Sequence, residues 1–239
     1  MPYTIEPQLH SALYKVDVGD RLRTIQTLAV ADSIRQLLLG IEGHYNNGDV
    51  GMTFSGHEAS GDNQVGHQHA FIIPVDSNQN GLLDTVLIYA PLGFNIANLV
   101  ALENLQAEAI FREDHLILES ITHQPPAEFN VTHTHWTSRT PLLTFRHYKK
   151  SAGTKEDWWA KEVRRYCVQQ GLPEPVSVRF NTGPKPKFWK DFRFERPSKR
   201  GNRKPFYQSV DIEFAEPVRG PILLGEHAHF GMGRMAPRG

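Results

Sequence analysis

Two apolar runs, HAFIIPV (residues 69–75) and TVLIYA (85–90), stand either side of Asn80-Gly81. Asn-Gly in that setting is the strongest short-range hairpin signal, because both central positions of the tight turn need a positive φ that these residues tolerate. A hairpin on its own is marginal in water and needs a covering element. Residues 21–42 provide one, with Leu22, Ile25, Leu28, Ile34, Leu38 and Ile41 at helical spacing. Gly43 is the expected stop of that helix. Residues 9–18 alternate as a strand ahead of it, and Met52–Ser55 reads as a short strand behind it. A helix over 96–107 and a strand over 116–121 complete the pattern β-α-β-(β-β)-α-β, a ferredoxin-like unit with an extra hairpin strand.

A loop with Pro125 and Pro126 follows, and then the pattern partly restarts. Strands are expected over 140–145, 175–180 and 207–214, and a helix over 155–170 with Gly171 as its stop. The chain ends in a strand-like 222–224 and the segment GEHAHFGMGRM. The expectation is an α+β chain of tandem ferredoxin-like (RRM-like) β-α-β-β-α-β domains. The first spans 1–124; the second spans 125–239 and carries a C-terminal glycine-rich loop. No repeat is visible in the residues themselves.

The formal charge is zero over 239 residues, but it is unevenly spread. Residues 1–138 hold 5 Lys/Arg against 16 Asp/Glu, and residues 139–204 hold 18 against 6. An acidic half therefore precedes a basic block of net +12. The block carries Trp158, Trp159, Phe188, Trp189, Phe192 and Phe194, with Phe206 and Tyr207 just beyond it. Clustered cations release counterions from a polyanion, and aromatic rings stack on bases. The combination points to nucleic acid, against the alternative of a solvated basic face beside a core. The candidate contacts are Lys185, Lys187, Trp189, Lys190, Arg193, Arg196, Lys199, Arg200, Arg203 and Lys204, with Arg164 and Arg165 on the helix before them.

Other classes fare worse. No run approaches the ~18 apolar residues of a membrane span. The start MPYTIEPQLH lacks the regions of a secretory signal, so no membrane partner and a cytoplasmic location are expected. One cysteine, Cys167, excludes an intrachain disulfide framework. Asp76, Asn78, Asn80, Gly81 and Asp84 spell the front of a calcium loop, but the twelfth position is Leu87, not a bidentate Glu. Twelve histidines include three His-x-His pairs, 67/69, 133/135 and 227/229. Each pair could chelate from a strand, yet none has a third ligand at fixed spacing. Two pairs could meet only through the fold. No metal and no other cofactor is expected.

Acid–base chemistry on RNA remains. It needs a group titrating near neutrality to take a proton from a ribose 2′-OH, and donors for the charge growing on the phosphate. Histidine is the natural base. His44, His57, His67 and His69 all fall at loop or strand-edge positions after the first helix. In the tail, Gly225, Gly231 and Gly233 bracket His229 and precede Arg234. Such glycines let successive N–H groups face one concavity, although a tight turn explains them equally.

Taken together, residues 55–94, 172–180 and 214–235 resemble the repeat-RNA-processing CRISPR-associated proteins of the RAMP superfamily. The likeness is to the Cas-six-type half of the fused Cas-five/Cas-six protein of one type I subtype. It rests on G-H-x-H-A-F at 66–71, the D-x-N-x-N-G hairpin at 76–81 and the F-G-x-G of 230–233. The resemblance implies a metal-independent endoribonuclease that cuts CRISPR precursor RNA within repeats by 2′-OH attack, leaving a 2′,3′-cyclic phosphate and a 5′-OH. It also implies retention on the crRNA 3′ stem-loop beside other subunits of a type I surveillance complex. By this likeness His67 and His69 are the catalytic pair, with His44 and then His57 in competition. The hairpin departs from the family's Asp-His ending, having Asp84-Thr85. Two rivals stand beside the nuclease: a non-catalytic crRNA-binding subunit, and a His-rich metalloenzyme.

Overall fold

The computed structural model describes residues 9–18, 22–57, 68–105, 109–111, 114–149, 151, 153–180, 191–194, 196 and 205–238. The first unit runs β1 (Ser11–Val18), α1 (Thr27–Tyr45), α2 (Met52–Ser55), β2 (Phe71–Val75), β3 (Thr85–Tyr89), α3 (Ile96–Asn104), β4 (Ala109–Phe111) and β5 (Asp114–Thr122). Its sheet has the order β2-β3-β1-β5-β4, with every neighbouring pair antiparallel. Setting β4 aside, this is a ferredoxin-like β-α-β-β-α-β unit with β1 between β3 and β5.

Two local readings change. Met52–Ser55 is a helical turn, and the extra strand is β4, paired with β5. A four-residue apolar run has no period to read. Here Gly56, at φ 68°, ends the turn, and Arg35 of α1 donates to the Phe54 carbonyl at 2.9 Å. Nor does α1 stop at Gly43. It continues to Tyr45 and ends where Asn47 (φ 55°) and Gly48 (φ 92°) turn the chain.

The second unit comprises β6 (Thr132–Ser138), β7 (Leu142–Thr144), α4 (Lys155–Gln169), β8 (Ser177–Phe180), β9 (Phe206–Gln208), β10 (Val210–Arg219) and β11 (Met235–Pro237). Its antiparallel sheet has the order β11-β6-β10-β8, while β7 and β9 pair as a separate ribbon. The first strand is β6, in a stretch read from sequence as loop. It sends Trp136 to the core, but its other alternating positions are His and Thr, not aliphatics. The segment at 140–145 holds β7, which lies outside the main sheet. Between β10 and β11, where a ferredoxin-like unit carries its second helix, the glycine-rich segment runs through a 3-10 turn, Ala228–Phe230.

Three apolar clusters hold this together. One lies between the first sheet and α1/α3, and a second between the second sheet and α4. The third is the seam, where Leu13, Phe71, Ile73 and Leu87 on the far face of the first sheet meet Phe129, Leu223 and Ala228 of the second unit. All five residues of β2 are buried for this reason, and its sequence FIIPV is continuously apolar because both faces are covered.

Glu42 sits deep in the first unit, 1% exposed, with Oε1 accepting from Asn98 Nδ2 of α3 at 2.8 Å. Burial pushes its carboxyl up, opposed by hydrogen bonds from Gly51 and Asn98. A raised folded-state pKa means that the folded chain holds this proton more tightly than the unfolded chain. The site thus favours folding fully below the unfolded glutamate value of ~4.3, and this contribution fades as pH rises through the folded value. Glu42→Gln keeps the acceptor for Asn98 and should raise the urea midpoint above that range while leaving it unchanged in acid. Unfolding curves at several pH values check this.

Candidate active site at the seam of the two sheets

The site begins where β2 enters the sheet. The Ala70 N–H donates to the Thr53 carbonyl of α2 at 2.7 Å, which seats the strand beside that short helix. His69 and Phe71 flank Ala70 and project to one side, as residues two apart on extended chain do. Gly56 lies against the His69 ring. A Cβ there would stand 3.3 Å from the imidazole, at a φ of 68° that already favours glycine.

The glycine-rich segment comes in from the second unit. Its base is closed by Leu224 N–H to the Gly233 carbonyl (3.0 Å) and Met235 N–H to the Ile222 carbonyl (2.9 Å). Gly225 bridges to Leu143 of β7. At Gly233 a Cβ would fall 1.8 Å from the Leu224 carbonyl oxygen, so the turn closes only on glycine. The tip lies on the first unit, with the Cβ position of Gly231 3.0 Å from Thr27 of α1 and 3.2 Å from Pro74 of β2. The hydroxyl of Thr140 donates to the Gly231 carbonyl at 2.8 Å, and the Arg234 N–H donates to the same hydroxyl.

This docking inserts His229 between two rings. It stacks on His69 with centroids 3.4 Å apart and planes 17° from parallel. Its other face meets Phe71 at 4.0 Å. The Nδ1–H of His229 donates to the Ala70 carbonyl at 3.2 Å, and because a carbonyl only accepts, that nitrogen carries the hydrogen. Nε2 is then the atom that gains or loses a proton. His229 is buried and His69 half-buried. Two of the three His-x-His pairs therefore meet, one ring from each. They do so as a stack, and a metal ion cannot lie in two ring planes 3.4 Å apart. Among the described residues no group of three or more His, Cys, Asp or Glu is arranged to hold a metal.

Next to this stack, the basic segment meets the acidic unit. The Arg193 N–H donates to the Ile25 carbonyl ahead of α1, and Phe192 enters the first core. Arg196 reaches Asp32 of α1, with Nε and Nη2 both 2.8 Å from Oδ1. Its guanidinium lies 4.1 Å over the ring of Phe230, the residue after His229. Burial and then Arg196 push the Arg35 guanidinium down from its ordinary value, and Asp32 pulls it back. Sequence reading missed Asp32, Arg35, Phe71 and Phe230. Asp32 alone had a signal, a charged residue inside the apolar LAVADSI of α1.

The other candidates fall as follows. His57 directly follows Gly56 and is exposed, its N–H on the Ser55 hydroxyl. His44 lies in the last turn of α1, nine residues beyond Arg35 and so about 13 Å along the axis. Arg165 is engaged by Glu162, Gln169 and the Tyr166 ring, and Arg164 by Glu174 at 3.4 Å. His67, Lys185, Lys187, Trp189, Lys190, Lys199, Arg200, Arg203 and Lys204 lie outside the described residues. The calcium-like hairpin is occupied by its own donors. Asp76 accepts from the N–H groups of Asn80 and Gly81, and Asp84 from Ser77 and Asn78. Burial pushes the Cys167 thiol up to about 12, which keeps it from acting as a nucleophile.

No family model matches the chain, and no curated protein sequence matches it. Among solved structures it is similar to Csf5, a type IV CRISPR-Cas Cas6 crRNA endonuclease, at 13% identity and a TM-score of 0.45, covering 96% of this chain and 100% of that one. It is similar to a RAMP protein binding different RNA substrates at 12% identity and a TM-score of 0.47, covering 96% and 100%. It is also similar to a Cas6-related protein from Pyrococcus furiosus at 11% identity and a TM-score of 0.42, covering 95% and 97%. What the seam can do chemically follows from its own side chains: one accessible imidazole for proton transfer, held by a second, next to chain that carries the basic block. Among the described residues no helix is long and apolar enough to cross a membrane.

Proposed function

We propose that the chain is an endoribonuclease that cuts CRISPR precursor RNA within its repeats, with His69 taking the proton from the attacking 2′-OH. The observation that carries this reading is the stack of His69 on His229 beside the point where Arg196 brings the basic segment onto α1. A half-buried imidazole is fixed in place, and Arg196 beside it belongs in sequence to the basic block. Attack by the 2′-OH closes the 2′,3′-cyclic phosphate and expels the 5′ oxygen, which takes a proton and leaves as a 5′-OH. His57, exposed next to Gly56, and His67, two residues before His69, are the candidate acids. The basic segment grips the stem through its phosphates, since A-form RNA hides its base edges in a deep groove. Retention on the cut RNA within a type I surveillance complex belongs to the same reading.

Labelled stem-loop repeat RNA mixed with the protein tests it. Cleavage to cyclic-phosphate and 5′-OH ends is expected, at an undiminished rate in excess EDTA, because imidazoles carry the protons. Loss of cleavage with EDTA would return the chemistry to a metal. A second reading is a non-catalytic crRNA-binding subunit. The burial of His229 between two rings favours it, since structural histidines sit in that way. Tight RNA binding with no cut in any repeat tried would select that reading.

A further inference from the structure

We infer that the ring of Tyr207, backed by Phe194, is a stacking face for an unpaired base of the RNA close to the cut. The inference deepens the nuclease reading and rests on it, but its test reads binding and needs no cleavage. Among the described Phe, Tyr and Trp side chains only Tyr45, Phe206 and Tyr207 are exposed, Tyr207 by 37%. An open ring alone says little, since single apolar side chains are common on surfaces. Its setting decides.

Successive residues of a strand point to opposite faces, so the two rings of β9 part company. Phe206 meets the His147 ring edge-on. Tyr207 lies against Phe194, with centroids 5.3 Å apart and planes 35° apart. Phe194 in turn packs on the first core, so the Tyr207 ring rests on a fixed support. A ring already held loses less freedom when a base stacks on it.

Backbone pairing sets the position. Tyr207 pairs with Leu143 of β7, and Leu143 bridges to Gly225. Two strand spacings of ~4.8 Å put Tyr207 roughly 10 Å from the base of the glycine-rich segment. Arg196, two residues after Phe194, lies over the Phe230 ring next to His229. A base on Tyr207 thus belongs to the strand that passes the stacked histidines.

The occupant follows from chemistry. Phe194 lies inside the block of net +12, and Tyr207 stands three residues beyond it. Exposed Arg146, Lys149 and Arg193 flank the two rings in sequence. Of the nearby described carboxylates, Glu162 is engaged by Arg146 and Arg165, and Asp191 is exposed. Stacking draws on the π-face of a base and needs no ion pair of its own. An apolar protein partner would want a contiguous patch, and Phe206 and Tyr207 face opposite sides of the ribbon.

Repeat RNA carrying 2-aminopurine, a fluorescent adenine analogue, at each unpaired position beside the stem in turn tests the inference. Stacking quenches the probe. One position should dim on binding the wild type and stay bright with Tyr207→Leu, which keeps apolar bulk but has no π-face. Tyr207→Phe keeps the ring and should dim the probe as the wild type does. Affinity should fall about 5- to 100-fold in the leucine variant. The factor should be the same at low and high salt, because no phosphate contact is lost. Tyr45→Leu, which removes an exposed ring from the acidic unit, should change nothing. Wild-type affinity in Tyr207→Leu would overturn the inference and leave the ring to a protein partner. Equal losses in the phenylalanine and leucine variants would credit the hydroxyl and overturn it too, as would a loss that disappears when salt rises. RNA that is bound and dimmed but never cut would sink the nuclease reading and keep the stacking face. No binding of any repeat RNA would end both.

Discussion

His69→Ala is expected to slow cleavage of repeat RNA by about 10²–10⁴-fold, the range that a positioned general base contributes. Binding of the same RNA should change little. Of the described candidate histidines, only His69 is both partly exposed and locked by neighbours, with Gly56 against its ring and His229 stacked on it. An exposed, unconstrained imidazole can reach a 2′-OH only at an entropic cost that a held one avoids. Single-turnover rates and a gel-shift titration on one preparation separate the two effects. Full activity in His69→Ala, with loss in His57→Ala or His44→Ala, would transfer the role. Loss only when His67 and His69 are both replaced would mean that the two substitute for each other.

Asp32→Ala is expected to cost about 3–5 kcal/mol of stability, the range for removing one partner of a buried ion pair. Asp32 is fully buried and the Arg196 side chain is 10% exposed, so the change removes a counter-charge from a guanidinium in a nearly dry site. Because Arg196 also lies on Phe230, the loss should spread to the glycine-rich tip and hence to His229. Urea unfolding measures the cost, and replacing the pair with Asp32→Leu and Arg196→Met should recover part of it. A loss below about 1 kcal/mol would mean that Arg196 escapes to water, as exposed pairs allow.

Much of the first unit was legible because its elements are long and periodic. The 3.6-residue pattern over α1 encodes one structure with little competition, and β2 and β3 pair as expected, but across the longer connection 76–84, where Gln79 (φ 59°) and Gly81 (φ 89°), not Asn80, take the positive φ. Met52–Ser55 was not legible, since four residues fit a strand or a turn and the decision came from Arg35, far off in sequence. Nor was β6, whose outward His and Thr hide the alternation that aliphatics would have displayed. The site was half legible. His69 and His229 both stood out as members of His-x-His pairs, but only the seam decides that these two meet and His227 turns elsewhere. The same limit applies to Arg196, named as a candidate phosphate contact from its basic neighbourhood and found pinned to Asp32. Local pattern reports what a residue can do, and tertiary neighbours decide which capacity is used.

The docking of residues 225–234 on β2 has a consequence for assembly. The stacked rings belong to segments 160 positions apart, and neither lobe owns the pair by itself. A chain that lacks residues 225–234 presents at most one of them. Removing that segment would leave His69 without the ring that stacks on it.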